Sequence, residues 1–485
     1  MRPRLATPGN ILYNREKIIL REEGRREKGI TRMKKIGLLL ALLALLMAAL
    51  PGALAETVTY LDEKGEEQTT EAIVLDPTKL PIASTNLGAN GETTWYYVPK
   101  GTSVNWGNRF CLIFGDVHLI LGDGATLTAD DSGIMLYANS TLNPDTSTVT
   151  TLTIYAQSQG KNMGKLIAKA TNSGFSHYPG IGVTQTGILT INGGYIEATG
   201  GYDGGAGIGG RGRVSEFEDC GTVIINGGIV TAQGGTLNGV GIGGGSPKYF
   251  ITGQEKKGGD GGIVKINGGL VTAIGGGDYG RAIGGGSGAV ESDNGTLTLG
   301  NRIAVYDDSA KDEQLKDTDT ATIFEQIIGT FGETDQIKRV LFETHNDYVI
   351  VASDKYALPT GKLSMTADGE FGDFRYLRLD NKKLPDTAYT TQPGSTVATV
   401  NLSGRNLSPD TTHTLSFIYP NGSADGEFTV VLQLPTPAPT PTPTPAADLS
   451  QVPQTGDRSS LLLWAALAVA CGVVVIAVVA RKRRK

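Results

Sequence analysis

A glycine-rich repeat between residues 187 and 288 most constrains what this chain can fold into. Of the 68 glycines in the chain, 36 lie in this stretch. Ile, Leu and Val recur between them at fixed positions, which a disordered linker would not show. The pattern Gly-x-x-x-Ile-Asn-Gly-Gly occurs three times, and its asparagines, 34 and 41 residues apart, are Asn192, Asn226 and Asn267. The repeat therefore predicts one structural unit used several times.

Each repeat predicts three short β-strands. In the first repeat, Leu189 and Ile191 point to one side of a strand and Thr190 to the other. Residues 195–199 alternate in the same way, and a third apolar element surrounds Ile208. A single repeat cannot bury its apolar side, whereas stacked repeats can. The sequence therefore predicts a parallel β-helix in which each repeat forms one coil.

Weaker repeats extend this prediction to residues 91–302. The Asn-Gly-Gly segments suit corners, because asparagine and glycine tolerate positive φ. We expect the stacked asparagines to hydrogen-bond to one another from coil to coil. About six coils are predicted from one inward residue in each: Leu119, Leu152, Leu189, Val223, Val264 and Leu297.

The repeats, together with residues 117–129, resemble bacterial surface proteins with right-handed β-helices. One family in that group is described as carbohydrate-binding. The resemblance covers about residues 90–300 and implies a right-handed coil and a role in glycan binding.

The N-terminal region predicts export. Basic residues Lys34 and Lys35 precede the apolar segment 36–50, and small residues end at Ala55. This order is typical of a signal peptide, here residues 1–55, and a mature chain that begins at Glu56. Residues 1–32 are too long and too charged for an ordinary leader, so we interpret them as a mis-assigned start. Residues 56–90 are interpreted as a lead-in to the β-helix.

The C-terminal region predicts covalent attachment to a cell wall. A short motif is followed by the apolar segment 461–480, long enough to cross a bilayer, and by the basic cluster 481–485. A plain tail anchor is the alternative interpretation of 452–485. The motif consists of Val452, Pro453, Gln454, Thr455 and Gly456.

This order resembles the LPxTG-type sorting signals of Gram-positive wall proteins, with Val452 in place of the usual leucine. The resemblance implies that sortase cleaves between Thr455 and Gly456. It also implies that Thr455 is then joined to peptidoglycan, and that the precursor spans the membrane once. Residues 434–451, rich in Pro and Thr, predict an extended stalk between the folded body and the wall.

A second domain is predicted at residues 358–433. Glycine becomes rarer there and β-type residues alternate, so the segment is typical of about six strands of an Ig-like β-sandwich. It resembles the X2-type Ig-like modules of surface proteins. Residues 303–357 are interpreted only as a connector. The predicted fold class is all-β, with a parallel β-helix followed by an Ig-like sandwich.

The composition argues against several functions. Residues 56–455 carry a net charge of −18, which disfavours nucleic acid as a partner. Asp203 and Asp278 fall at equivalent places two coils apart, about 9.6 Å, at the edge of the spacing for inverting glycosidases. We predict no enzyme and no cofactor, with a polysaccharide lyase or hydrolase as the less favoured alternative. Calcium held by Asp260 and Asp278 is a further, less favoured interpretation.

The remaining hypothesis is that the exposed body binds an extracellular glycan or a host surface. The alternative is a structural surface protein without a specific ligand. Candidate contacts are aromatic rings that stack on sugars and basic groups that meet acidic ones: Tyr195, Tyr202, Tyr279, Arg211 and Arg281.

Overall fold

The computed structural model describes most of the body of the chain and neither end. The predicted signal peptide up to residue 54, the stalk, the sorting motif and the span 461–480 lie outside the described residues. Within the described part, no helix is long and apolar enough to span a bilayer. The described residues are 55–75, 85–107, 111–136, 149–160, 162–171, 176–183, 185–212, 218–247, 257–308, 313–315, 319–330, 333–345, 348–393, 395–420 and 422–433.

Between residues 85 and 299 the chain passes repeatedly through three parallel sheets. Each turn adds one strand to each sheet, so the arrangement is all-β and β-helix-like, as predicted. Sheet 1 contains, in spatial order, Ala55–Leu61, Glu67–Val74, Thr93–Val98, Asp116–Leu121, Thr151–Ala156, Ile188–Ile191, Thr222–Ile225, Ile263–Ile266 and Thr296–Leu299.

Sheets 2 and 3 complete each coil. Sheet 2 contains Ser103–Asn105, Thr126–Ala129, Lys165–Lys169, Tyr195–Thr199, Ile229–Gln233, Leu270–Ile274, Arg339–Thr344, Ile303–Asp307 and Glu313–Gln314. Sheet 3 contains Thr85–Leu87, Cys111–Ile113, Ile134–Leu136, Ile181–Val183, Ile208–Gly209, Ile242–Gly243 and Ile283–Gly284.

The predicted inward face of the repeat is confirmed. Leu189 pairs with Val223 of the next coil and Ile191 with Ile225, and all four side chains are fully buried. Thr190, between the two inward positions, is half-buried on the outer face. The coil therefore buries alternate side chains in one continuous apolar core, as period-2 alternation requires.

Segments outside the repeat close both ends of the stack. At the N-terminal side, Ala55–Leu61 and Glu67–Val74 form an antiparallel hairpin that extends sheet 1. At the C-terminal side, Arg339–Thr344 pairs antiparallel with Leu270–Ile274. The helix Thr320–Ile328 adds two buried isoleucines to the same core. The segment 303–357, interpreted as a connector, thus covers the last coil with a helix and a strand.

Aromatic rings hold the N-terminal hairpin against the outer face of sheet 1. The Tyr60 ring lies 5.0 Å from that of Trp95 and 4.7 Å from that of Tyr155, between centroids. Trp95 stacks in turn on His118, at 4.1 Å. The side-chain amide of Gln157 donates to the carbonyl oxygen of Thr59 at 3.1 Å. The hairpin is therefore packed as a fixed part of the β-helix.

The second domain consists of two further sheets in which antiparallel pairing prevails. Sheet 4 contains Ile350–Ser353, Lys362–Glu370, Ser395–Asn401 and Tyr389–Gln392, in spatial order. Sheet 5 contains Tyr356–Ala357, Gly422–Val430, Thr412–Tyr419, Tyr376–Leu379 and Lys382–Lys383, with a 3-10 turn at Asp386–Ala388 in the chain.

A buried joint fixes the second domain to the flank of the β-helix. Glu343 and Arg378 are both fully buried, and Arg378 Nη2 donates to Glu343 Oε1 at 2.7 Å. A Cβ added at Gly160 would lie 1.7 Å from a carboxylate oxygen of Asp373, which shows how closely the two parts approach. An apolar cluster surrounds the joint, formed by Ala156, Met163, Ile229, Leu270, Tyr306, Leu341, Tyr376 and Ile418.

Candidate functional site

A polar groove of about 470 Å³ runs along one corner of the β-helix. We call it the amide groove. Its floor is the corner between sheets 1 and 2, where the Asn-Gly-Gly segments of successive coils lie side by side. Its walls come from the turn of the N-terminal hairpin, from the loop after Thr151–Ala156, and from residues near the second domain. The lining side chains outside the floor include Asp62, Glu63, Lys64, Ser158, Gln159, Arg302, Thr344 and Tyr348.

The floor carries a ladder of asparagine amides, as the sequence predicts. Asn226 Nδ2 donates to Asn192 Oδ1 at 2.7 Å, and Asn267 Nδ2 donates to Asn226 Oδ1 at 2.8 Å. An amide has two N–H donors and an oxygen with two lone pairs. Each bond of the ladder uses one donor and one lone pair, so Asn226 keeps one N–H and one lone pair for other partners. The amide edge is therefore a repeated donor and acceptor pair.

Glycines keep the floor low beside the ladder. Gly228 and Gly269 have φ of 85° and 91°, a backbone conformation that favours glycine. A Cβ at Gly268 would lie 2.3 Å from the carbonyl oxygen of Asn226. Successive coils can stack closely at this corner only because these positions carry no side chain. The missing side chains also leave the asparagine amides accessible to a ligand.

The hairpin turn that forms one wall is rigid. Asp62 accepts hydrogen bonds from the backbone N–H groups of Lys64 and Glu66, both at 2.9 Å, and from the Gln68 amide at 3.1 Å. These bonds hold the pKa of Asp62 below its usual range, and the bond from the Glu66 N–H makes the largest contribution. The Asp62 carboxylate is therefore occupied within its own turn.

An aromatic ring, Tyr348, lines the groove near the second domain. Its ring lies 4.4 Å from that of Tyr419, and its backbone N–H donates to the carbonyl oxygen of Ser423 at 3.2 Å. Burial raises the pKa of the Tyr348 phenol, with smaller contributions from Asp373 and Asp368. Tyr348 is therefore a fixed, protonated phenol whose orientation is set by the second domain.

The five contact residues predicted from sequence do not line this groove. Tyr195 is half-buried beside the joint, with Lys165 Nζ 4.3 Å from its ring centroid. Arg211 forms an ion pair with Glu218 and lies over the Tyr178 ring, 5.0 Å from its centroid. Both side chains are engaged inside the protein.

Arg281 is buried, with 6% of its surface exposed, so it cannot contact a glycan in this structure. Its Nε donates to the carbonyl oxygen of Ile328 at 3.0 Å and its Nη1 to that of Gly285 at 3.2 Å. Tyr202 and Tyr279 are the more accessible pair, with 60% and 38% exposed. They lie on turns that follow sheet 2, two coils apart.

The aspartates considered for catalysis or calcium are dispersed. Asp203 is buried and accepts a hydrogen bond from Ser176 Oγ at 2.6 Å, whereas Asp278 is exposed and lies 3.6 Å from Lys338 Nζ. Asp260 pairs with Lys257 at 2.6 Å. No group of three acidic, His or Cys side chains with metal-site geometry occurs in the part of the chain that the structure describes.

Sequence reasoning predicts the asparagine ladder but not the groove above it. The Asn-Gly-Gly segments repeat without any large side chain, which is a signal for an open corner, yet the walls come from segments far away in sequence.

No protein-family model matches this chain, and no curated protein matches it as a relative.

Proposed function

We propose that this protein is displayed on a bacterial cell wall and binds an extracellular glycan in the amide groove. The observation that carries the proposal is the floor of the groove, where one asparagine amide per coil offers hydrogen bonds in a regular row. The export and sorting signals in the sequence support the location outside the cell.

The chemistry of the groove suits a sugar better than an apolar ligand. Sugar hydroxyls both donate and accept hydrogen bonds, and an amide edge supplies both partners side by side. Binding sites fix orientation with a few convergent polar groups and add apolar contact through aromatic rings. The amide groove offers three amides on its floor and the Tyr348 ring in its wall.

The finer features of the fold belong to the same proposal. We interpret the coil as right-handed and sheets 4 and 5 as an Ig-like module. In this interpretation the module does more than separate the β-helix from the wall, because the joint holds it against the flank where Tyr348 lines the groove.

A glycan array tests the ligand hypothesis. The secreted protein, beginning at Glu56, is labelled and applied to plant, mucin and bacterial wall glycans. We expect binding to a limited set of glycans, and loss of that binding when Asn226→Ala and Tyr348→Ala are combined. Tyr202→Ala is the matched control, because it removes an exposed ring outside the groove. Absence of binding to every glycan would favour a structural surface protein.

Cell fractionation tests the attachment. Wall linkage through Thr455 predicts that the protein is released by enzymes that digest peptidoglycan and not by detergent. Thr455→Ala should shift the protein to the membrane and the medium, while Ser450→Ala, just before the motif, should leave it in the wall. Equal detergent release of both variants and the natural protein would support a plain tail anchor.

A further inference from the structure

We propose that the amide groove takes an uncharged, extended oligosaccharide that lies parallel to the axis of the stack. This inference rests on the proposed function and specifies its ligand. Three features of the groove carry it: the direction in which the amides repeat, the balance of charge in the lining, and the fixed aromatic ring.

The direction follows from the ladder. Asn192, Asn226 and Asn267 stand at the same place in successive coils, because the strands before them pair in register. Successive coils are separated by about 4.8 Å, so the three amides span about 9.6 Å along the axis. A chain of similar sugar units laid along this row meets the same amide at each step, whereas a chain laid across it meets one amide.

The charge of the ligand follows from the lining. The floor consists of asparagine and glycine, and the described side chains of the walls include two carboxylates, Asp62 and Glu63, and two basic groups, Lys64 and Arg302. The lining is therefore neutral as a whole. An acidic polysaccharide would find no row of cations along the floor, and the negative charge of the body would oppose its approach.

Tyr348 supplies the apolar contact that sugar rings require. Tyr348 lines the groove, and its ring is held by packing on Tyr419. Binding to a preformed site loses less conformational entropy than binding to a flexible one. Gln159, exposed in the opposite loop of the lining, adds a further side-chain amide.

Calorimetry on the secreted protein tests the inference. The probes are neutral oligosaccharides of increasing length from cellulose, xylan and mannan, together with oligogalacturonides as the acidic comparison. We expect a neutral series to bind, with affinity that rises with length until the three amides are covered and then stays constant. Affinity should change less than about twofold in tenfold higher salt, because uncharged partners are not screened.

Variants then locate the site. Asn226→Ala removes two ladder bonds and the ligand bonds at the central amide, and should weaken binding about tenfold. Because Asn226→Ala could also loosen the stack, Gln159→Ala and Tyr348→Ala provide variants outside the ladder, each expected to weaken binding severalfold. Tyr202→Ala should bind like the natural protein.

Binding only of acidic chains, with strong salt dependence but still weakened by Asn226→Ala and Tyr348→Ala, would overturn the inference and leave glycan binding in the groove intact. Absence of binding to any glycan, or binding unaffected by Gln159→Ala, Tyr348→Ala and Asn226→Ala, would instead remove the proposed function on which the inference rests. The two failures are therefore distinguishable in the same set of titrations.

Discussion

Replacing Arg378 by methionine should open the joint between the β-helix and the second domain. Arg378 donates to Glu343 through Nε, at 3.0 Å to Oε1, and through Nη2, at 2.7 Å to the same oxygen. Its guanidinium carbon lies 3.5 Å from the centroid of the Tyr306 ring. Methionine keeps part of the volume but removes the charge and every donor, so Glu343 is left with the hydroxyl of Tyr376 and the ring of His345.

The expected cost is large because Glu343 is fully buried. Removal of one partner of a buried ion pair typically destabilises a protein by about 3–5 kcal/mol. This corresponds to a factor of about 10² to almost 10⁴ in the population of the open joint. Lys383→Met is the matched control: Lys383 Nζ lies 4.1 Å from the Tyr376 ring but is exposed, so its loss should cost about 1 kcal/mol or less.

Hydrogen exchange of strands Arg339–Thr344 and Tyr376–Leu379 measures the opening, and urea unfolding measures the total. We expect exchange in these two strands to accelerate by a factor of about 10² to almost 10⁴ in Arg378→Met, with little change in the central coils. The double variant Arg378→Met/Glu343→Gln should recover most of the loss, because the neutral amide can still bond to Tyr376. Unchanged exchange in the single variant, or no recovery in the double, would refute this account of the joint.

The effect should depend on pH in a defined direction. Burial alone would raise the pKa of Glu343, but hydrogen bonds from His345 and Arg378 and the positive charge of Arg378 lower it below its usual range. The natural joint therefore stabilises the fold above the unfolded pKa of about 4.3, and this contribution is lost as pH falls through the folded pKa. In Arg378→Met, Glu343 loses the bonds and the charge that oppose the effect of burial, so its pKa should rise. The two proteins should therefore differ most near pH 7 and converge only below about pH 4, once the pH has fallen through the folded pKa of the natural protein.

Three further predictions concern the β-helix. Gly209 has φ of 136°, and an added Cβ would lie 1.9 Å from a carbonyl oxygen of the next coil. Gly209→Ala should therefore lower the free energy of unfolding in urea by about 3 kcal/mol or more. Gly372→Ala is the control and should change it little, because nothing lies within 4 Å of a Cβ there. Arg281→Met should lower stability by about 1–3 kcal/mol, from two lost backbone contacts, and leave glycan binding unchanged in calorimetry. Cys111 and Cys220 are free and buried, and burial raises the pKa of Cys220 to about 12, so both thiols should react with a thiol reagent only after denaturation; reaction in the native protein would contradict their burial.

The coils could be predicted because their signals are local. Period-2 alternation determines which side chains of 187–199 face inward, and the spacing of the repeat determines the register, so the amino-acid sequence alone places Asn226 above Asn192. The ladder bonds between them confirm that prediction. Local signals of this kind arise wherever each unit packs only against its neighbours.

The ends and the groove could not be predicted, because they depend on contacts between distant segments. Strand Arg339–Thr344 pairs with Leu270–Ile274, which lies about 70 residues earlier in the chain, and no sequence repeat indicates this pairing. Arg281 lies in a glycine-rich segment that we expected to be exposed, but it is buried, and it donates to the carbonyl oxygen of Ile328 at the end of the helix Thr320–Ile328. The walls of the amide groove come from residues as far apart as Asp62 and Tyr348.

The apolar cluster at the joint also changes how the stack can unfold. In a solenoid, stability is nearly a sum of nearest-neighbour terms, so a terminal coil can fray alone. Here Met163, Ile229 and Leu270, which belong to different coils, share one apolar cluster with Tyr376 and Ile418 of the second domain. Any of these coils can detach only if it also leaves the second domain, which couples units that are not neighbours. The cluster thus acts as a clamp along the stack, and we expect unfolding to be concerted where a bare β-helix would lose its coils one by one.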